Sequence, residues 1–361
     1  MIKGRPGLHR PRHRSRHRHR AKGSPPTAGW TAAPTAGWTA APTAVLIAVL
    51  AAVLAAGLVL VPALASPGAT LGARRGPAGA RPLPVAAGGA SPAPTYYFAI
   101  GASESVGVQP TAEHPRGVRT DHGYANDLAA IERHRWPGLR LVALGCPGIS
   151  AVAAAGGGGA CHYPAGSELA TALRFLHHHR SSTVLATVDL GFNDLWPCLV
   201  RQRVDDRCVA SALDVVGKAV SRILDRLVAA GGRRLRIVGV EHNDPYLGDY
   251  LAGRRGRAFA MASMGAIRRL NATLAAAYAR AGVLPADVPA AFGTGNRRLV
   301  DYRDEDGVPT DVVRMCSMSW MCARRPFRHN IHPNTRGYEA MADALAAALA
   351  APGAGPGAGP G

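Results

Sequence analysis

The sequence predicts an α/β fold in which helices cover both faces of a parallel sheet. Strand-length apolar runs alternate with longer amphipathic stretches from Thr95 onward, which is typical of strand-helix-strand units with right-handed crossovers. The first run, Tyr97 to Ile100, is continuously apolar, as a strand covered on both faces requires. With 361 residues, 47% of them hydrophobic, the chain is long enough to bury a sizeable core.

Residues 1–43 form a basic, low-complexity segment. Nine positive charges lie in the first 24 residues, which contain no acid, and the octapeptide TAGWTAAP then occurs twice. We expect this segment to be disordered, because it lacks the apolar periodicity of a folded element. It also contributes much of the net charge of +19, and from residue 94 onward no basic stripe alternates with aromatic residues. Nucleic acid is therefore not an expected partner.

Residues 44–65 form an uninterrupted apolar run of 22 residues that ends in Ala63-Leu64-Ala65. The run is long enough to span a bilayer, and its end has the A-x-A pattern of a signal-peptidase site. Two outcomes stay open. Cleavage after Ala65 releases the rest of the chain, or the run remains as an N-terminal membrane anchor. Both outcomes predict that the rest of the chain is exported. Residues 66–94, which are rich in Pro, Gly and Ala, are expected to form a disordered linker.

One folded domain is predicted over residues 95–350, followed by a disordered Gly/Pro tail at 351–361. The predicted strands are 97–100, 139–145, 182–191 and 235–240, and the predicted helices lie near 124–134, 168–178, 209–230, 259–281 and 335–350. The loops near 246–257 and 297–319 are expected to shape substrate choice.

The six cysteines all lie in the predicted domain, and none of them forms a CxxC pair. Zinc sites favour close ligand pairs, so disulfides are the better interpretation. Fifteen pairings are possible with six cysteines. Closure between neighbours is the simplest, and it gives Cys146–Cys161, Cys198–Cys208 and Cys316–Cys322. Such bonds indicate an oxidising compartment.

Chemically useful residues follow each of the first three predicted strands. Gly101-Ala102-Ser103 ends the first strand, where open α/β sheets hold their ligands, so Ser103 is a candidate nucleophile. An ordinary helix N-cap is the alternative interpretation of Ser103. The turn at 145–148 offers backbone N–H groups to an anion, and residues 191–194 offer an amide and a carboxylate. His332 precedes the last helix and is a candidate base.

The order Ser, Gly, Asn, His resembles the SGNH hydrolases, also called the GDSL esterase and lipase superfamily. The four family blocks correspond here to GASES (101–105), GCPGIS (145–150), GFND (191–194) and IHPN (331–334). The stretches LGCPGIS, CHYPAGSELA and SWMCA are similar to an actinobacterial secreted branch of the superfamily. The resemblance covers about Thr95 to Leu349. It implies a three-layer α/β/α sandwich similar to flavodoxin and a carboxylic-ester hydrolase with no metal or organic cofactor.

The resemblance also implies residue roles. Ser103 is the nucleophile and His332 its general base. The oxyanion hole consists of the backbone N–H groups of Ser103 and Gly148 and the side-chain amide of Asn193. By contrast, Glu104 is expected to be a helix-start charge and Asp189 a structural partner within its strand.

Two departures from the family pattern stand out. Ala102 replaces the aspartate of GDS, whose carboxylate is usually structural. The family often has a carboxylate three residues before the histidine, and this chain has His329 there instead. Because that carboxylate is missing, we expect a Ser-His dyad. The carbonyl of His329 or the side chain of Asn330 is a possible group to orient the His332 imidazole.

The sequence therefore predicts a secreted or membrane-tethered serine esterase or lipase that acts on a small-molecule or lipid ester through an acyl-serine intermediate. A carbohydrate O-acetylesterase is an alternative. A non-catalytic surface-binding domain on the same fold is another, because the triad carboxylate is missing. We expect a monomer, associated with a membrane only through its N-terminal segment.

Overall fold

A parallel five-stranded sheet forms the centre of the computed structural model, which describes residues 94–351. The strand order is β2-β1-β3-β4-β5, and the strands are β1 (Thr95–Gly101), β2 (Leu139–Ala143), β3 (Thr183–Asp189), β4 (Arg236–Val240) and β5 (Leu284–Ala286). Four predicted segments lie outside the described residues: the basic segment, the apolar run, the linker and the C-terminal tail. Only Pro94, the last linker residue, and Ala351, the first tail residue, are described.

Helices follow most strands and return the chain to the start of the next one. They are α1 (Tyr124–Glu132), α2 (Ala151–Gly156), α3 (Glu168–His179), α4 (Phe192–Leu195), α5 (Asp206–Gly231), α6 (Gly253–Ala281), α7 (Val288–Ala291), α8 (Thr310–Met318) and α9 (Thr335–Ala350). Side-chain caps begin several of them, among them Ser167 at α3, Asp205 at α5 and Asn334 at α9, because each supplies an oxygen to an otherwise unpaired N–H group.

Strand β1 shows why the fold has three layers. Tyr97 and Ala99 pack with α1 and α9 on one face of the sheet, and Phe98 and Ile100 pack with α3, α5 and α6 on the other. All four side chains are fully buried. The predicted α/β/α sandwich with a central parallel sheet is therefore confirmed.

The chain from 297 to 319, expected to be a loop, contains regular structure. It forms the antiparallel hairpin β6 (Leu299–Tyr302) and β7 (Glu305–Pro309), and α8 follows directly. Three disulfides join Cys146 to Cys161, Cys198 to Cys208 and Cys316 to Cys322. Within residues 94–351, no helix has both the length and the hydrophobicity that a membrane span requires.

Candidate active site

Ser103 lies on the turn that follows the central strand β1. Gly101 brings this turn against β3, since a side chain there would place its Cβ 2.6 Å from the carbonyl oxygen of Asp189. The Ala102 N–H donates to that same carbonyl at 3.0 Å. Ser103 precedes a short 3-10 helix, Glu104–Val106, but its hydroxyl does not cap it. Within residues 94–351 the Ser103 hydroxyl makes no hydrogen bond, so it is available as a candidate nucleophile.

A pocket of about 520 Å³ opens beside Ser103, and we call it the serine pocket. Gly148, Asn193 and His332 also line it, so four separate loops meet there. The first three loops follow β1, β2 and β3, and parallel strands end at one edge of a sheet. Between residues 94 and 351, no hydrogen bond yet joins the Ser103 hydroxyl to His332, and such bonds often tighten only when substrate binds.

Asn330 holds the imidazole of His332. The Asn330 Oδ1 atom accepts from the His332 backbone N–H at 3.0 Å and lies 2.7 Å from the His332 Nδ1 atom. The Asn330 Nδ2 group donates to the carbonyls of Pro115 and Arg116, at 3.0 and 3.2 Å, which fixes the orientation of the amide. Because Oδ1 only accepts, Nδ1 of His332 carries the proton. The Nε2 lone pair is thus left to act as a base.

Burial also sets the protonation state of His332. Removing the imidazole from water disfavours its charged form and lowers the pKa of His332 to about 4. At neutral pH the ring is therefore uncharged and able to take a proton.

His329, the other candidate orienter, lies away from the His332 ring. Its backbone has a positive φ of 62°, and its Nδ1 atom lies 3.8 Å from Asp249 Oδ1. Among the described residues, no hydrogen bond joins the His329 carbonyl to the His332 imidazole. Asn330 is the candidate that contacts the His332 imidazole.

Two backbone N–H groups and one amide point to an oxyanion site. In the part of the chain that the structure describes, the N–H groups of Ser103 and Gly148 donate to no protein acceptor. Gly148 has a positive φ of 77°, and a Cβ there would meet nothing within 4 Å, so its backbone faces open space. The Asn193 amide donates one hydrogen to the Ile149 carbonyl at 3.1 Å, which ties two of the loops together.

Asp194, the neighbour of Asn193, braces the same pair of loops. Its carboxylate accepts from the Ala151 N–H at 2.8 Å. This contact joins the Asn193 turn to the start of α2 and so fixes Asn193 relative to Gly148.

A largely buried polar cluster lies beside Ser103, with which it lines a small cavity. Glu104, Asp189 and His242 each bring one polar atom within 4.8 Å of the others. Removal from water disfavours the charged form of each group. Burial therefore raises the pKa of Asp189 to about 7 and lowers the pKa of His242 to about 4. Glu104 lies in the first turn of the 3-10 helix, as its sequence position predicts, and its partly buried carboxylate also reaches this cluster.

Glu168 contacts the turn before Ser103, and no sequence pattern indicated this role. Its Oε1 atom accepts from the Gly101 N–H at 2.6 Å, and burial raises the pKa of Glu168 to about 8. The residue is the first of α3, and an acid at a helix start is ordinarily a solvated charge. Only the folded arrangement shows that it holds the turn before Ser103.

Residues 99–340 match the GDSL-like Lipase/Acylhydrolase family. No curated protein matches the chain significantly. Solved structures with a similar fold include an extracellular lipase from Streptomyces rimosus, 18% identical, which covers 70% of this chain and 99% of its own with a TM-score of 0.45. A phospholipase A1 from Streptomyces albidoflavus is 16% identical over 71% of this chain and 99% of its own, with a TM-score of 0.41.

A mutant acetyl-xylooligosaccharide esterase from Geobacillus is 13% identical over 72% of this chain and 95% of its own, with a TM-score of 0.39. These likenesses are too distant to transfer a substrate, and the resemblance to an actinobacterial secreted branch stays a prediction. The family match spans the loops that carry Ser103, Gly148, Asn193 and His332. The chain belongs to the GDSL-like lipase and acylhydrolase family.

Proposed function

We propose that this chain is an exported serine esterase that hydrolyses carboxylic esters through an acyl-serine intermediate. The observation that carries the proposal is the meeting of four loops at the serine pocket. They carry the Ser103 hydroxyl, a neutral imidazole with a fixed tautomer, and N–H groups that have no acceptor among residues 94–351, and all of these groups line the same pocket.

Each group has one role in the proposed reaction. The Ser103 oxygen attacks the ester carbonyl carbon while Nε2 of His332 takes the hydroxyl proton. The N–H groups of Ser103 and Gly148, with the Asn193 amide, stabilise the resulting oxyanion. The intermediate then expels the alcohol, which takes the proton from His332. Water attacks the acyl-serine in the same way, and this second step releases the acid and restores Ser103.

The lining of the serine pocket favours an acyl chain over a bare acetyl group. Val108, Val118, Trp196 and Ile331 all contribute to the lining. Each buried methylene of a substrate contributes about 0.8 kcal/mol to binding in an apolar site. We therefore expect esters of longer acyl chains to be the better substrates. The alternative is an acetyl-specific enzyme, and activity measured against acyl length distinguishes the two.

The test uses the full chain with p-nitrophenyl esters from acetate to decanoate. We expect kcat/KM to rise with acyl length and to fall by about 10³-fold or more in Ser103→Ala. The matched control is Ser221→Ala on α5, whose hydroxyl bonds only within helices remote from the pocket. Preference for acetate would favour the O-acetylesterase, and hydrolysis that is absent or equal in Ser103→Ala would favour the non-catalytic binding domain.

A further inference from the structure

Three side chains of metal-ligating type meet beside Ser103, at the carboxyl ends of three neighbouring strands. Glu104 lies just after β1, Asp189 ends β3, and His242 lies just after β4. Each offers one ligand atom, and these three atoms lie within 4.8 Å of one another. The esterase reaction proposed above gives none of the three a role.

The imidazole of His242 has the hydrogen bonding of a metal ligand. Its Nε2 atom lies 3.1 Å from the Leu190 carbonyl oxygen, which only accepts, so Nε2 carries the proton of the uncharged ring. The Nδ1 lone pair is therefore left for the cluster. Histidines that bind metals usually donate their other N–H to a carbonyl or a carboxylate in this way. The Asn271 amide also holds the backbone of His242, with hydrogen bonds of 2.8 Å to its N–H and its carbonyl.

The Asp189 carboxylate faces that lone pair and lacks donors of its own. Its Oδ1 atom lies 3.8 Å from His242 Nδ1, which is too far for a hydrogen bond. The Ser105 N–H and the Tyr124 hydroxyl lie close enough to lower the pKa of Asp189. Among residues 94–351, however, no group donates a hydrogen bond to the buried Oδ2 atom. The side chain is 1% exposed, so its charge is costly unless a cation neutralises it.

A cavity of about 20 Å³ lies at the cluster, and Glu104, Asp189 and His242 all line it. That volume holds one water-sized occupant and is far too small for an organic ligand. A metal ion is of the right size. In tetrahedral coordination with bonds of about 2.1 Å, ligand atoms stand about 3.4 Å apart. Small rotations of Asp189 and His242 are therefore enough to close their 3.8 Å gap on an ion.

We propose that Glu104, Asp189 and His242 bind one zinc ion. Zinc accepts imidazole nitrogen and carboxylate oxygen together, whereas calcium needs about six to eight oxygen ligands. Thiolates do not compete for the ion, because the six cysteines form three disulfides. The ion joins the turn that carries Ser103 to the ends of β3 and β4. The family resemblance implies no metal, so this site is a property of the chain's own residues.

The test measures Zn²⁺ binding to the full chain after its metals are removed with EDTA. The N-terminal segment offers other zinc ligands, so every sample carries the substitutions His9→Asn, His13→Asn, His17→Asn and His19→Asn. Competition with a chromophoric chelator gives the stoichiometry and Kd, and thermal unfolding gives Tm with and without Zn²⁺. No ester is used, so the outcome is independent of the proposed esterase activity.

We expect one tightly held equivalent of Zn²⁺ and a Tm that rises by about 5 °C or more when the site is saturated. Glu104→Gln and Asp189→Asn keep the shape of each side chain and remove its negative charge. Each should weaken binding at least about 100-fold, since losing a mere partner of a metal ligand costs about 10- to 100-fold. The matched control is Glu132→Gln, a buried carboxylate at the end of α1 beside Arg135, which should leave Kd unaltered.

If Glu104→Gln binds Zn²⁺ as tightly as Glu132→Gln does, or if the tight equivalent is absent, the inference is wrong and the cluster is a pair of carboxyls that share a proton. Glu104 is only partly buried, so this comparison holds even if Asp189→Asn fails to fold. Tighter binding of Ca²⁺ or Mg²⁺ than of Zn²⁺ would overturn the assignment to zinc.

Discussion

Asn330 makes the contact to His332 Nδ1 that a carboxylate makes in a Ser-His-Asp triad, although it lies two residues before the histidine and not three. Its amide oxygen fixes the tautomer of His332 as a carboxylate does, through a hydrogen bond to Nδ1. It carries no charge, however, and so it does not stabilise the imidazolium that forms during attack. In the proposed reaction His332 is therefore a well-oriented base with a low pKa.

Asn330→Ala removes the acceptor that fixes the His332 ring. We expect kcat/KM to fall about 10- to 100-fold, mainly through kcat, because the ring then samples the wrong tautomer. Kinetics should be measured well below the Tm of the variant. A loss of thermal stability with unchanged kcat would assign Asn330 a purely structural role.

The pH dependence follows from the burial of His332. The neutral ring is the active form, and its pKa of about 4 lies below that of a solvated imidazole, near 6.5. We therefore expect kcat/KM to be level above about pH 5 and to fall roughly tenfold per pH unit below about pH 4. Acid release should be followed by chromatography, since p-nitrophenol loses its colour in acid. An inflection near 6.5 would show that water reaches the ring.

The sequence identified Ser103, Asn193 and His332 as candidates because each lies in a short local motif. It left two candidates for the orienter of His332, and the reason is physical. The Asn330 amide is oriented by the carbonyls of Pro115 and Arg116, more than 200 residues earlier in the chain. No local pattern encodes a contact of that range.

At the scale of elements, the loop after β2 carries Gly148, whose N–H is a proposed oxyanion donor, and two contacts hold this loop in place. The Cys146–Cys161 disulfide closes 15 residues around it, and Asp194 anchors the start of α2. The loop therefore keeps its N–H groups in place before substrate arrives, as oxyanion stabilisation requires.

Replacing both Cys146 and Cys161 with serine should test this fastening. Loop-closure entropy for 15 residues predicts a loss of about 3 kcal/mol in the free energy of unfolding. We also expect kcat to fall more than KM rises, because the Gly148 donor is used chiefly in the transition state. Chemical denaturation and kinetics at low temperature measure the two effects. An unchanged kcat would show that Asp194 alone positions the loop.

The first four strands were predictable because each is a run of apolar residues. Strand β5 was not, since its three residues, Leu284, Pro285 and Ala286, are too few to show a pattern and include a proline. The β6–β7 hairpin was missed for a related reason. Its strands are short, mix apolar with acidic residues and lie partly exposed, so they lack the continuous hydrophobic signal of a buried strand.

At the scale of the whole molecule, the apolar run at 44–65 and the three disulfides support export as a proposal. In a secreting host, cleavage after Ala65 predicts a soluble product that begins at Ser66 and has no free thiol. An uncleaved anchor predicts a membrane-bound product of full mass. N-terminal sequencing, intact mass and thiol titration distinguish them, and a cytoplasmic product with reduced cysteines would refute export.

Ser103 is the proposed nucleophile of the serine pocket. An alkyl fluorophosphonate reacts with an activated serine, so the full chain should be treated with one and the modified residue mapped by peptide mass spectrometry. We expect a single adduct on Ser103, absent in Ser103→Ala and formed at least about tenfold more slowly in His332→Ala. An adduct on a different residue, or labelling that persists in Ser103→Ala, would contradict it.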